Sequence, residues 1–207
     1  MTTVIIFPNV LVTHPALPVT AAAQLVALAR ARPGQLNFAT SGVGSTNHLT
    51  GEVFKSIAKV TVNFVPYKGG GPAVNDLIGG HVDAMFATMP SAVTQIQGGK
   101  LKALLVTDAK RWAALPQVPS ARQAGLAGLN VITWNGVLAP AGTPGAILTR
   151  LHGEIVKVSG TQDMKDRMAA QAAEVRTTTP EEFSTLLRDD FAKWLKVIKA
   201  AGARAEN

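Results

Sequence analysis

The 207-residue chain contains no cysteine. Disulfides, thiol chemistry and zinc-thiolate sites are therefore excluded, while the compartment stays open. Aromatic residues are scarce, at 5% with a single tyrosine. No stretch approaches the ~20 continuous apolar residues that a membrane span needs. The opening "MTTVIIFPNVLV" has no basic n-region and no small-residue cleavage site, so it does not read as a signal peptide. Acidic residues are also in deficit, 13 against 20 basic ones, for a net charge of +7. Such a balance suits nucleic acid, an anionic membrane surface or anionic small ligands. The basic residues are scattered, with the densest group at Lys157, Lys165, Arg167, Arg176 and then Arg188 to Arg204. Without a clustered basic face or an RNA-binding or zinc-finger signature, nucleic acid is not an expected partner.

Enzyme chemistry lacks its usual parts. His14, His48, His81 and His152 have no metal-ligand spacing with one another, and no paired carboxylates or nucleophile–base constellation stand out. Asp76 and Asp83 read as a capping acid and a solvated acid. Neither a cofactor nor a metal is implied, and the expected role is not catalytic.

What the chain does have is a strand–loop–helix rhythm, at a length that suits one large α/β domain or two small ones. "PNVLVTH" (8–14) is a β-rich run. Thr20 is placed to cap a helix carrying Leu25, Val26, Leu28 and Ala29, which "RPG" stops. "QLNFAT" (35–40) is a short strand, followed by a helix with Leu49, Val53, Phe54 and Ile57 on one face and Glu52 and Lys55 outside. "VTVNFVPY", "VDAMFAT" and "LKALLVT" continue as strands, with short helices at "PAVNDLIGG" and "PSAVTQIQGG" between them. This alternation predicts βαβ units and a largely parallel sheet. After Thr107 the texture changes. A structured connection leads to a strand-like segment at 129–140, then helices at 144–159, 161–172 and 180–201. Thr179-Pro180-Glu181-Glu182 is a strong helix start. Three helices thus follow with few strands left for them to pack on.

Three loops share one position, each where a strand hands over to a helix. Thr40-Ser41-Gly42-Val43-Gly44-Ser45-Thr46 is neither a P-loop, a full dinucleotide fingerprint nor a nucleophile elbow. Its glycines let the backbone turn, and Ser45 or Thr46 can cap the next helix, leaving first-turn N–H groups to meet an anion. "PYKGGGPAVNDL" adds Tyr67, Lys68 and Gly69 to Gly71, and "FATMPSAV" adds a third loop. In a parallel sheet such loops line one rim, where ligands bind.

The segments "NFATSGVGSTNHLTGEVFKSIAKVTVNFVPYKGGGPAVNDLIGGHVDAMF", "GGKLKALLVTDAKRWAALPQVPSARQAG" and "WNGVLAPAGTP" closely resemble the Bug/TctC family, the extracytoplasmic solute-binding receptors of tripartite tricarboxylate transporters. The resemblance runs over essentially the whole chain. It implies an α/β, type II periplasmic-binding-protein-like fold whose two lobes close on a small carboxylate, with transporter membrane subunits as partners and a periplasmic location. By position it implies Ser41, Gly42, Val43, Gly44, Ser45, Asn47 and His48 as anion-loop residues. Tyr67, Lys68 and Gly69 would form the wall, and Ala87 and Thr88 the third loop.

Three departures qualify the resemblance. Family members usually carry Asp-Asn where this chain has Ala87 and Thr88, which favours purely anionic or apolar-ended carboxylates and predicts that Ala87→Asp would favour amino-acid ligands. The family's chains begin about a hundred residues earlier, and no export signal is present; a start at Met1 would mean a cytoplasmic location. The expected division is a crossing segment (1–11), a nearly complete lobe two (12–131) and a C-terminal remnant of lobe one (132–207). The helix faces Leu148, Leu151, Ile155, Val158 and Phe183, Leu187, Phe191, Trp194, Ile198 would then lack their partner sheet. They are expected to pair with a second copy or repack on lobe two, with Trp134 and Trp194 packed among them. The alternative to a receptor is a truncated, non-exported homologue that no longer binds ligand and self-associates.

Overall fold

The computed structural model describes residues 1–202. Its elements, in chain order, are β1 (Thr2–Thr13), α1 (Ala22–Ala31), β2 (Asn37–Thr40), α2 (Thr46–Ala58), β3 (Asn63–Pro66), α3 (Gly70–Ile78), β4 (Ala84–Thr88), α4 (Met89–Gln97), β5 (Lys102–Val106), β6 (Ile132–Val137), α5 (Gly145–Ser159), α6 (Gln162–Ala170), β7 (Glu174–Val175) and α7 (Pro180–Ala201). The main sheet runs β3-β2-β4-β1-β5. β2 is parallel to both β3 and β4, as βαβ crossovers require, but β1 is antiparallel to β4 and β5. The parallel sheet read from the sequence therefore has one antiparallel member, reached from the opposite end and without a crossover helix.

That strand serves two sheets. Asn9–Thr13 pairs with β4 and β5, while Thr2–Pro8 pairs with β6, and Ile5 and Ile6 also face β7. The change of partners falls between Pro8 and Asn9, and the strand starts well before the "PNVLVTH" run. Thr107 ties the junction together. Its hydroxyl donates to Val131 O at 2.7 Å and accepts from Asn9 N–H at 3.0 Å, so both strands that cross between the sheets are held at one point.

Alternation along the strands sends side chains to two cores. One lies under α3 and α4 and includes Leu77, Met85, Ala87, Met89 and Val106. The other lies under α1 and α2, where Phe54 sits 6.0 Å from Phe38 and 5.4 Å from Phe86, centroid to centroid. Local details depart from the sequence reading. The N-cap of α1 is Ala21, and the Thr20 N–H and hydroxyl instead both donate to Gln24 Oε1. The buried stripe of α2 is Asn47, His48, Leu49, Thr50, Gly51, Phe54 and Ala58, whereas Ile57 is at the surface. Glu52, expected outside, has a largely covered side chain 2.9 Å from Lys55 Nζ. On this side of α2, Lys196, Val197, Ala200 and Ala201 of α7 stand across a groove from Glu52 and Lys55.

The C-terminal part is a small β6-β1-β7 sheet dressed by helices. α7 begins at Pro180 with the full capping box between Thr179 and Glu182. Its Phe183 is buried beneath Gly136, at a spacing that leaves no room for a Cβ. Trp134 meets Phe183 edge to face at 5.3 Å and donates its indole N–H to Asp190 at 2.6 Å. The apolar faces of α5 and α7 stay partly open, with Phe191 72% and Val158 59% exposed. The end of α7 stands beside α2 across that groove.

Candidate functional site

β2, β3 and β4 are parallel and each leads directly into a helix, so α2, α3 and α4 all open at the same rim of the main sheet. None of the three carries an acidic residue in its first turn. Their positive dipole ends and unpaired first-turn N–H groups therefore face that rim without internal neutralisation. α3 and α4 also lack any side-chain cap. Net charge acts in the same direction: residues 1–142 hold ten Lys and Arg against four Asp and Glu, whereas residues 143–207 hold ten against nine.

The loop before α2 is held from within. Gly42 and Gly44 have φ of +126° and +78°, which L side chains rarely adopt. Ser45 is the N-cap: its Oγ accepts from His48 N–H at 3.3 Å and donates to Gly42 O at 2.7 Å. Ser41 donates to Asn47 Oδ1, and Asn47 Nδ2 donates to Phe86 O on β4. Asn47 is buried, so it acts as a rivet joining loop, helix and sheet. Gly44 N–H donates to Nδ1 of His48 at 3.2 Å, and the His48 ring lies edge-on to Phe64 at 4.8 Å. Burial holds the His48 imidazole below its ordinary pKa; Glu52 opposes this and Lys55 reinforces it. The side chains of Asn47 and His48 are thus engaged in shaping the loop. What the loop leaves outward is Val43, 38% exposed, and backbone.

The second and third loops adjoin it. Tyr67 N–H donates to Thr40 O at 2.9 Å, and a Cβ placed on Gly42 would stand 3.5 Å from Tyr67 O. Gly70, likewise, lies 3.9 Å from Ser91 Cβ by the same measure. Gly69 is the N-cap of α3, Lys68 is exposed, and the Tyr67 hydroxyl donates to Asp76 at 2.6 Å. Desolvation, then the hydrogen bond to Asp76 and its charge, push the tyrosine up to about 12. Asp76 is accordingly Tyr67's acceptor rather than a helix cap, and Asp83 is not simply solvated, since its Oδ2 accepts from Asn37 N–H at 2.8 Å. Thr88 occupies the N-cap position of α4 without bonding a helix N–H, its hydroxyl lying instead 2.9 Å from Ser91 Oγ.

Ala87 changes the expectation attached to it. The residue is 0% exposed with its methyl in the core beneath α3 and α4. An aspartate at that position would carry its carboxylate into apolar packing, not onto the rim, so Ala87→Asp is a test of stability more than of ligand preference. Residues the motif reading passed over include Ser91 on the rim and Thr50 behind it. Thr50 donates to Thr46 O at 2.6 Å and accepts from Asn9 Nδ2 at 2.9 Å, linking the start of α2 to the crossing strand. The hydroxyls signal this weakly, since nothing in their spacing distinguishes a tether from a solvated threonine.

Among the described residues no cluster of His, Asp or Glu is placed to hold a metal, and no helix is long and apolar enough to cross a membrane. The chain resembles protein BugT of Bordetella pertussis, with 34% identity over 95% of this chain and 60% of that protein. It also resembles a UPF0065 protein from the tcbD-tcbE intergenic region of Pseudomonas sp. strain P51, with 38% identity over 84% of this chain and 52% of the relative. It therefore spans about half to six-tenths of the length of these relatives. Among solved structures, an R. palustris protein with adipate superposes with a TM-score of 0.90 at 34% identity, covering 97% of this chain and 67% of that one. MatC from Rhodopseudomonas palustris, with bound malate, gives 0.86 at 28% identity over 95% and 68%. The tripartite tricarboxylate transporter family receptor model matches residues 1–203, and this chain belongs to that family.

Proposed function

We propose that the chain captures a small organic carboxylate at the rim where α2, α3 and α4 begin. The observation that carries the reading is the convergence of three acid-free helix N-termini at one edge of the sheet. The adipate- and malate-bound relatives support the ligand class. In this reading residues 12–131 present the anion loop, residues 1–11 and β6 cross between lobes, and the remaining helices belong to the other lobe. The ligand is handed to the membrane subunits of a transporter at the periplasmic face, without chemical change. Backbone donors recognise the carboxylate group, and Val43 offers apolar contact to the rest of the ligand.

Calorimetric titration with mono-, di- and tricarboxylates tests this. Saturable binding of at least one member is the expected result, and absence of heat across the panel would refute it. The open apolar residues Phe191, Leu138 and Val158 favour a second reading, in which residues 1–207 alone associate as copies through α5 and α7. Light scattering of the purified chain separates the two: a monomer that binds carboxylate supports the receptor alone.

A further inference from the structure

His48 stands apart from the other rim residues because it touches the loop through a titratable atom. Gly44 N–H donates to its Nδ1, so Nδ1 presents a lone pair and the ring proton resides on Nε2. Nε2 faces Glu52 Oε1 at 3.9 Å, and the His48 side chain is 10% exposed. Gly44 is one of the two left-handed glycines whose conformation shapes the loop. We propose that His48 is the latch that holds the anion loop in its binding shape, and that a proton on this imidazole opens the loop and weakens carboxylate binding. The inference rests on the carboxylate reading above.

The added proton has two opposing effects. It turns Nδ1 from acceptor to donor, so two N–H groups face each other and the tip of the loop loses its tie to α2. It also adds a positive charge near the anion site, which by itself would favour binding. The charged groups around the ring decide between them. Glu52 and Lys55 lie on its own helix, and Lys196 of α7 lines the groove they share. β3 presents the Phe64 ring, and β2 and β4 carry no ionisable residue. Glu52 offsets the new charge, whereas no second acceptor replaces Nδ1 for Gly44, so loss of the latch prevails. Because burial holds the imidazole below its ordinary range, the latch is closed at neutral pH and opens only on acidification below that range. The same sign applies to folding. A depressed histidine contributes stability above its unfolded pKa of about 6.5, and that contribution is lost as pH falls through the folded value.

The test follows the Gly44 amide and the His48 ring by NMR from pH 8 to pH 5, with adipate affinity measured at pH 7.5 and 5.5. His48→Asn keeps an acceptor near the Nδ1 position without titrating in this range, and His48→Phe removes it. The Gly44 amide should titrate together with the ring. Wild-type affinity should fall about three- to tenfold more than that of His48→Asn between the two pH values, the size of one hydrogen bond. His48→Phe should bind more weakly than His48→Asn at both. A Gly44 amide indifferent to the ring's titration, or identical pH profiles for wild type and His48→Asn, would overturn the latch. Failure of adipate to bind the wild type at pH 7.5 counts against the carboxylate reading instead, and the latch then stands or falls on the Gly44 amide.

Discussion

Gly44→Val is expected to lower carboxylate affinity by more than tenfold while shifting the melting temperature only slightly. A Cβ at Gly44 meets nothing within 4 Å, so the substitution creates no clash. Its effect comes through the backbone: φ is +78°, where a non-glycine residue costs about 1–2 kcal/mol and a β-branched one more. The chain escapes by rotating to negative φ, which turns Gly44 N–H away from His48 and displaces Val43 and Ser45 on either side. The N–H groups proposed to meet the anion then lose their common direction. Because the loop lies at the surface and the cores are untouched, global stability changes little. Calorimetric titration and a thermal melt of the same variant check both halves. Unchanged affinity would show that the loop's shape is not what binds.

Phe54→Ala should have the largest effect on stability, about 3–5 kcal/mol. The side chain is fully buried, stacks on Phe38 and packs against Phe86, so truncation leaves a cavity between α2 and the centre of the sheet. Relaxation is limited because Phe38 and Phe86 sit on adjacent strands β2 and β4, whose ladder fixes their spacing. Loss of these aromatic contacts adds to the area term. Chemical denaturation is the measurement, and a loss below 1 kcal/mol would mean that α2 is not anchored through this residue.

Much of the architecture is visible in the residues themselves. The helix at 180–201 is marked at its start by Thr179, Pro180 and Glu182, and the capping box forms at that place. The loop-to-helix handover at Ser45 is equally legible, because a serine followed by an apolar periodic run is a local signal. β1 was legible only in part. Its residues serve two sheets with different buried faces, so no single alternation runs through Thr2 to Thr13, and its antiparallel direction depends on partners far along the chain. The stripe of α2 is displaced from its apolar positions because Asn47, His48 and Thr50 are buried for their hydrogen bonds, not for hydrophobicity. Position along the chain brings His48 and Ala87 to the site, but only geometry separates their roles. One side chain shapes the loop from behind, and the other never reaches the surface.

In the proposed binding mode the carboxylate sits on the N-termini of α2, α3 and α4 together. Backbone amide NMR of the whole chain during titration with adipate tests it most directly. The largest shifts are expected at residues 41–47, 69–71 and 88–91, three segments far apart in sequence that move with one binding curve. Shifts confined to the groove lined by Trp134, Phe191 and Trp194, with the three loops silent, would contradict it.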